Sequence, residues 1–295
     1  MRTGMNVNGY FAIMQEQCAE LSNDLSIAYT EAGNGPETIL FLHGLGSDRK
    51  CWQKNISGLS THFRCIALDL PGYGDSSKAN YSYSMAFYAQ CIKAFTEKLE
   101  LSTVFLVGHS MGAQIAIHVL LRYPEAAAKL VLIAPAGIET FSPQEKAWFA
   151  QFYQPEMLRM VPLDQFVRNM EQNFYDLGPD TQPMREERLR LYRSKDYGRY
   201  TNMISANIMS MLNEPVFDRL SHLHLPVLIL FGEQDRMIPN PLLHPQQTTY
   251  QIAIAGNREI TNSEFFLIPR AGHFVQWEQA NQVNEIILQF LSEAT

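Results

Sequence analysis

The sequence has little of what marks a nucleic-acid-binding or membrane-spanning protein. Its 23 Lys and Arg residues are outnumbered by 30 Asp and Glu residues, which gives a formal net charge of −7, and the basic residues form no run. A surface of this sign repels phosphate backbones, so nucleic acid is not an expected partner. The most apolar stretch, residues 130–138, is far shorter than the roughly 20 residues that cross a bilayer, so no membrane association is expected either.

Cysteine is also scarce, with four residues in 295 and no Cys-x-x-Cys pair. That number is too small for a disulfide scaffold. The first residues show neither the apolar core nor the cleavage site of a secretory signal. Together these features predict a cytoplasmic location and cysteines that act as small buried apolar side chains.

Six short apolar runs determine the predicted fold. They lie at residues 38–42, 64–68, 103–107, 130–133, 226–231 and 264–268. Continuous apolar runs of this length are typical of parallel strands that are buried on both faces. Helical patterns alternate with them, at residues 84–99, 111–122 and 283–291. The sequence therefore predicts an α/β domain in which a mostly parallel sheet lies between layers of helices.

The long segment between the fourth and fifth runs differs from the rest of the chain in its composition and apolar spacing. It holds seven of the 13 methionines and aromatic residues at helical spacing, and it begins with a capping box, Ser-Pro-Gln-Glu, at residues 142–145. No extended-strand pattern occurs in it. We predict a helical cap at residues 140–214, lying over the ligand-binding edge of a core formed by residues 1–139 and 215–295. A plain helical subdomain is the alternative.

The strongest chemical signal is the sequence G-H-S-M-G at residues 108–112, between a predicted strand and a predicted helix. A serine in that context occupies a sharp strand-to-helix turn, and the flanking glycines let the backbone crowd together. The motif therefore predicts Ser110 as a nucleophile. The alternative is a glycine-rich turn with a surface serine.

A serine nucleophile needs a base, and the base needs a carboxylate that orients it. Asp235 and His273 each follow a predicted strand, in the chain order expected for this fold, and they would meet Ser110 at the carboxyl edge of the sheet. Glu233 is the rival acid, but it lies nearer the strand and is expected to be structural.

The oxyanion of an acyl-transfer intermediate requires two N–H donors. We expect them to be the backbone N–H groups of Leu45, in the His-Gly-Leu-Gly loop at residues 43–46, and of Met111. His43 is expected to be a structural hydrogen-bonding group.

No cofactor or metal site is predicted. His222 and His224 have no Asp, Glu or Cys cluster beside them, so a polar approach to a strand is favoured over a metal site. Residues 69–76, D-L-P-G-Y-G-D-S, lack the third glycine of a dinucleotide fingerprint and indicate a tight turn instead.

Taken together, these motifs resemble those of the α/β-hydrolase family. The set comprises the His-Gly-Leu-Gly loop with Trp52 after it, the turn at residues 69–74, the G-H-S-M-G turn, and residues 235–239 and 272–274. The resemblance covers nearly the whole chain and implies about eight strands, with the helical cap inserted after the sixth. It excludes the haloalkane dehalogenases and epoxide hydrolases, which need a carboxylate where this chain has serine.

Within the family we predict a serine hydrolase of small to medium apolar esters that forms an acyl-enzyme on Ser110. The first alternative is a carbon–carbon hydrolase of meta-cleavage-type diketo acids, because residues 272–278 are similar to that group. Those enzymes use a cap arginine, for which Arg190, Arg193 and Arg199 are candidates. A ligand receptor with a vestigial triad is the non-enzymatic alternative. We expect a small-molecule substrate and a monomer or homodimer.

Overall fold

An eight-stranded sheet organises residues 14–293, the part of the chain that the computed structural model describes. In chain order the strands are β1 (Gln15–Ser22), β2 (Leu25–Ala32), β3 (Thr38–Leu42), β4 (Arg64–Leu68), β5 (Val104–His109), β6 (Lys129–Ile133), β7 (Val227–Gly232) and β8 (Ser263–Ile268). Their spatial order is β1-β2-β4-β3-β5-β6-β7-β8. The pairs β1–β2 and β2–β4 are antiparallel, and all the others are parallel. The predicted mostly parallel α/β sheet is confirmed.

Two layers of helices cover the sheet. They are α1 (Gln53–Leu59), α2 (Met85–Lys98), α3 (Met111–Arg122), α9 (Thr249–Glu259), α10 (Val275–Glu278) and α11 (Ala280–Ser292). Alternate residues of β3 enter different cores. Leu40 and Leu42 pack with residues of α2 and α3, whereas Ile39 and Phe41 pack with residues of α1 and α11. This alternation explains why the central strands are continuous apolar runs in the sequence.

Five further helices lie between β6 and β7. They are α4 (Pro143–Phe152), α5 (Pro155–Arg159), α6 (Leu163–Glu171), α7 (Gln182–Tyr192) and α8 (Tyr197–Asn213). The predicted capping box begins α4, where Ser142 and Glu145 bond reciprocally. The insertion after the sixth strand is confirmed, and the cap boundaries at residues 140–214 stay a prediction.

Two sequence expectations need correction. The predicted strands did not include β1 and β2. Most residues of β1 are exposed and β2 is only partly buried, so neither gives a continuous apolar run in the sequence. Cys18 on β1 is exposed, whereas Cys51, Cys65 and Cys91 are buried as expected.

Among residues 14–293, no helix is long and apolar enough to span a bilayer.

The loop after β4 is built on a buried ion pair. Asp69 is fully buried, it pairs with the guanidinium of Arg49, and it accepts the backbone N–H of Arg49 at 2.7 Å and that of Asp75 at 2.8 Å. Gly72 and Gly74 have φ angles of +94° and +46°, in agreement with the predicted tight turn. A buried carboxylate is tolerable only with such partners. The pair therefore holds the loop against the short 3₁₀ helix, Arg49–Trp52, that precedes α1.

We expect Asp69→Ala to lower the free energy of unfolding by about 3–5 kcal/mol, because it leaves the Arg49 charge buried without its main partner. Urea denaturation followed by circular dichroism measures this change. Asp75→Ala is the matched control, since Asp75 also pairs with Arg49, at 2.8 Å, but its side chain is 69% exposed. The control should cost less than about 1 kcal/mol. Equal losses for the two variants would contradict a dominant role of the buried pair.

Candidate active site

Ser110 lies on a strained turn between β5 and α3. Its φ and ψ angles are 54° and −116°, a conformation that residues with a side chain rarely adopt. The backbone is crowded there: a Cβ added to Gly108 would lie 2.5 Å from the carbonyl oxygen of Gly112, and one added to Gly112 would collide with the carbonyl of Leu42. The Ser110 N–H donates to the Ile133 carbonyl at 2.9 Å. The two glycines thus permit the sharp turn that the motif predicts.

Asp235 and His273 meet at the same edge of the sheet. The Nδ1 atom of His273 lies 2.8 Å from Oδ2 of Asp235, whose side chain is fully buried. The other oxygen, Oδ1, accepts the N–H groups of Met237 at 2.7 Å and Ile238 at 3.2 Å. An ionised carboxylate only accepts, so Nδ1 carries the proton and Nε2 is left as the basic atom. This is the tautomer that a general base beside a serine requires.

The structure separates the two candidate acids. Glu233 is exposed, and the hydrogen bond of its side chain is with the neighbouring Gln234, at 3.4 Å. Asp235 is the carboxylate that reaches His273. Ser110 and His273 line one cavity. The geometry therefore brings the three predicted residues to one place, and their catalytic roles stay a prediction.

The predicted oxyanion donors lie on either side of Ser110. Among residues 14–293, the N–H groups of Leu45 and Met111 donate to no protein acceptor. Leu45 lines the cavity with Ser110, and Met111 is the first residue of α3, where a helix leaves N–H groups unpaired. A Cβ added to Gly44 would lie 3.1 Å from the Ser110 Cβ, so the loop that carries Leu45 lies directly against the turn. Both donors remain available for an oxyanion.

His43 has the structural role expected of it. It is fully buried, its Nδ1 donates to the Gly44 carbonyl at 2.8 Å, and its Nε2 accepts the N–H of Leu70 at 3.0 Å. Burial lowers the pKa of the imidazole, which agrees with the neutral tautomer that these bonds need. His43 therefore joins the loop that carries Leu45 to the loop after β4.

His109, the residue before the serine, has a positioning role that the sequence analysis did not assign. It is 1% exposed, and its Nε2 donates to the carbonyl of His273 at 2.8 Å. Burial and, to a smaller extent, His273 hold its pKa well below the usual value, so the ring is neutral. Its centroid lies 4.8 Å from those of His273 and Phe274. The sequence signal for this role was the place of His109 between Gly108 and Ser110, because a side chain at that position of the turn lies against His273.

A cavity of about 450 Å³ lies over Ser110, between the core and the cap. Most of its lining is apolar and comes from the cap or from the ends of the strands. The apolar residues include Leu45, Phe141, Phe149, Ile208, Met211, Leu212, Ile238 and Phe274. Two cationic side chains, Arg188 and Lys146, and two acidic ones, Glu139 and Asp218, also line it. A concave, largely apolar site with few charged groups is typical of a small-molecule pocket.

The cap arginine at the cavity is Arg188, which corrects the sequence analysis. Arg190 pairs with Glu187 and its side chain is 74% exposed, Arg193 is exposed, and Arg199 pairs with Asp196. None of these three lines the cavity.

The guanidinium of Arg188 lies against the loop that carries Leu45. Its Nη1 donates to the Tyr200 hydroxyl at 2.5 Å, and a Cβ added to Gly46 would collide with the same nitrogen. Among the described residues, no carboxylate lies within 4.0 Å of it. Arg188 is therefore a cation that faces the site without an acidic partner there.

The remaining histidine pair does not form a site. His222 and His224 are both exposed. In the part of the chain that the structure covers, no three His, Cys, Asp or Glu residues are grouped as metal ligands.

Comparison with known proteins identifies the family. The model of the alpha/beta hydrolase fold matches residues 37–280. The chain belongs to the alpha/beta hydrolase family. Over 279 residues it is 29% identical to a 2-hydroxy-6-oxononadienedioate/2-hydroxy-6-oxononatrienedioate hydrolase of Pseudomonas putida, covering 91% of this chain and 93% of the relative.

Solved structures of the family share the whole fold. One is a protein of Pseudomonas aeruginosa PAO1 described as a probable hydrolytic enzyme, with a TM-score of 0.81, 24% identity, and 96% of both chains covered. Another is the 2-hydroxy-6-oxo-6-phenylhexa-2,4-dienoate hydrolase of Rhodococcus sp. strain RHA1. Its TM-score is 0.78 at 19% identity, with 96% of this chain and all of that chain covered. The family and the fold support a hydrolase.

We expect Ser110→Ala to fold normally and to lose on the order of 10⁶ in kcat, because the reaction loses its nucleophile. The measurement is steady-state turnover of the best accepted substrate by the purified variant, with circular dichroism as the folding control. Retention of more than a small fraction of wild-type turnover would contradict the role of Ser110.

The second prediction concerns the acid. Asp235→Asn should lower kcat by about 10⁴, because an amide at this position favours the wrong tautomer of His273. Glu233→Gln is the matched control and should change kcat by less than about threefold, since Glu233 is exposed. A larger loss in Glu233→Gln than in Asp235→Asn would assign the acid to Glu233.

Proposed function

We propose that this hydrolase cleaves a carbon–carbon bond of vinylogous 1,5-diketo acids, the class formed by meta-cleavage of aromatic rings. The observation that carries the proposal is Arg188, a cap cation that has no carboxylate within 4.0 Å among residues 14–293 and lines the same cavity as Ser110 and His273. A guanidinium binds a carboxylate with parallel hydrogen bonds, and such pairing is strong where water is largely excluded. A substrate carboxylate would supply the missing partner.

The distribution of charge supports an anionic substrate. Lys146 is a second cation of the lining, and among the described residues it too has no carboxylate within 4.0 Å. The acidic side chains are less available to a ligand. Glu139 is already engaged by the side chain of His244 and the N–H of Asn240, and Asp218 is exposed. Among the described residues, the cavity therefore offers two cations without an ion-pair partner, Arg188 and Lys146, against one such carboxylate, the exposed Asp218.

The relatives support the same chemistry. The Pseudomonas putida relative is named for hydrolysis of 2-hydroxy-6-oxo dienedioates or trienedioates, and the Rhodococcus structure for a 2-hydroxy-6-oxo-6-phenyl dienoate. Both substrates have a carboxylate next to a hydroxyl carbon and a ketone four carbons further along. An apolar cavity lined by Arg188 and Lys146 suits such molecules, since a cation binds the carboxylate and the apolar side chains contact the carbon chain.

The proposed reaction adds one water across the bond between C5 and C6 of the dienoate. The dienol first moves its proton to C5. Ser110 Oγ then adds to the C6 carbonyl as its proton passes to His273, and the N–H groups of Leu45 and Met111 stabilise the oxyanion. Collapse of the oxyanion breaks the C5–C6 bond. The electron pair moves onto the C2 oxygen, which takes the proton from His273, and the 2-hydroxydienoate leaves.

A water molecule completes the cycle. Activated by neutral His273, it attacks the acyl group on Ser110 and releases a carboxylic acid. Arg188 would hold the C1 carboxylate throughout, which keeps the C6 carbonyl at Ser110.

Hydrolysis of apolar esters is the second candidate function, and the apolar lining favours it. The same Ser110, His273 and oxyanion donors would serve an ester, and no cation would be needed. The two functions differ in the demand that they place on Arg188.

A parallel assay decides between the candidates. One arm follows the loss of dienolate absorbance of a 2-hydroxy-6-oxo-6-phenylhexa-2,4-dienoate, and the other follows p-nitrophenol release from a series of acyl esters. The proposal expects kcat/KM for the dienoate to exceed that for the best ester by at least about 100-fold. Efficient ester turnover with poor dienoate cleavage would assign the esterase function instead, and no turnover in either arm would favour a ligand receptor.

Arg188→Gln tests the group that carries the proposal. We expect it to lower kcat/KM for the dienoate by about 30-fold or more, because loss of one partner of a hydrogen-bonded charge pair in a binding site costs about 2–5 kcal/mol. The loss for a neutral ester should be far smaller. Arg190→Gln is the matched control on the same helix, since Arg190 is exposed and lies outside the cavity. Equal losses of dienoate activity in the two variants would contradict the assignment.

A further inference from the structure

A second charged cluster lies where the cap meets the loop that follows Asp235, and its residue Glu139 lines the cavity. His244 stands between two carboxylates of different segments. Its Nδ1 is 2.5 Å from Oε1 of Glu139, in the loop after β6, and its Nε2 is 3.1 Å from Oε1 of Glu145, on α4. The His244 side chain is 14% exposed and that of Glu139 is 6% exposed.

The contacts determine how many protons the cluster holds. Ionised carboxylates only accept hydrogen bonds, so both ring nitrogens of His244 carry a proton when both acids are ionised. Burial raises the pKa of Glu139, although the N–H of Asn240 and His244 itself act in the opposite direction. With one proton on Nε2 and a second shared between Nδ1 and Glu139, these two residues together carry no net charge. The remaining negative charge of the cluster belongs to Glu145, which does not line the cavity.

Glu139 is the member that a ligand would meet. It lines the cavity, and so does Asn240, whose N–H donates to Glu139 Oε1 at 2.8 Å. No described residue donates to the second oxygen of Glu139. The His244 ring also stacks on Phe141 of the lining, with 5.3 Å between centroids and 19° between the planes. Without His244, the largely apolar wall of the cavity would hold a carboxylate whose described hydrogen-bond donor is the N–H of Asn240.

We propose that His244 is a specificity-determining residue, which neutralises Glu139 so that the cavity accepts substrates with an anionic group. The inference rests on the proposed function for the class of substrate, and it concerns a part of the cavity that the catalytic residues do not occupy. Coulomb repulsion between Glu139 and a substrate carboxylate is long-ranged in a site of low dielectric constant. An unpaired Glu139 would therefore oppose the attraction by Arg188 and Lys146.

The test compares two esters of similar length, p-nitrophenyl hydrogen glutarate and p-nitrophenyl hexanoate. The quantity measured is the selectivity, which is kcat/KM for the anionic ester divided by kcat/KM for the neutral one. We expect His244→Asn to lower the selectivity about tenfold. Adding Glu139→Gln to that variant should return it to within about threefold of wild type, because the repelling carboxylate is gone. A purely structural role of His244 lowers both activities and leaves the selectivity unchanged, which would overturn the proposal.

Two controls separate the charge at Glu139 from the removal of other polar groups. Glu156→Gln removes an exposed carboxylate of the cap that lies outside the cavity, so the selectivity should stay within about threefold of wild type. His224→Asn removes an exposed histidine and should behave in the same way. A tenfold fall in either variant would contradict the inference.

The single variant Glu139→Gln carries the test if His244→Asn does not fold. The selectivity of Glu139→Gln should equal or exceed that of wild type, and a lower selectivity would overturn the proposal. A wild-type protein that turns over neither ester would also overturn it. Failure of the proposed function is separately visible. A protein that cleaves no dienoate, but whose selectivity depends on His244 and Glu139 as described, retains this inference and loses the carbon–carbon hydrolase assignment.

Discussion

The close approach of backbone at the turn of Ser110 is the constraint on which the rest of the site depends. Gly112 packs against the carbonyl of Leu42 at the end of β3, and the Ser110 N–H bonds to the Ile133 carbonyl at the end of β6. The turn is therefore held by the strands on both sides of β5. A larger side chain at Gly108 or Gly112 would separate elements that must touch for the serine and the oxyanion donors to face the same space.

His273, the predicted base, is positioned by contacts from both the core and the cap. From the core, Asp235 accepts a hydrogen bond from Nδ1 of His273, and the ring of His109 donates one to the His273 carbonyl. The cap supplies the carbonyl of Asn173, which accepts the His273 N–H at 2.8 Å. Because the segment between α6 and α7 bonds directly to the loop of the base, cap and catalytic groups form one assembly. A displacement of the cap would thus change the position of the base as well as the shape of the cavity.

The sequence predicts the position of a residue that directly follows a recognisable strand. It does not predict a position that depends on packing against another segment of the chain. Ser110, Asp235 and His273 were predicted because each follows a recognisable apolar strand, and the carboxyl ends of parallel strands share one edge. Strands β1 and β2 were missed because exposed residues interrupt their apolar pattern. The cluster of His244 with Glu139 and Glu145 could not be predicted, since its members lie on three segments whose approach depends on the packing of the cap.

Arg188 shows that helical periodicity can identify a residue of the site that the motifs alone did not indicate. On α7, Met184, Arg188 and Leu191 are spaced by four and three residues, so they share one face, and each is partly buried. Arg190 follows Arg188 by two residues, a rotation of about 200°, and therefore faces solvent. A charged residue within an otherwise apolar face carries a desolvation cost that the fold must offset with a partner. Among the described residues no carboxylate lies beside Arg188, so under the proposed function a substrate carboxylate would supply that partner, and the position of this cap residue would determine the class of substrate.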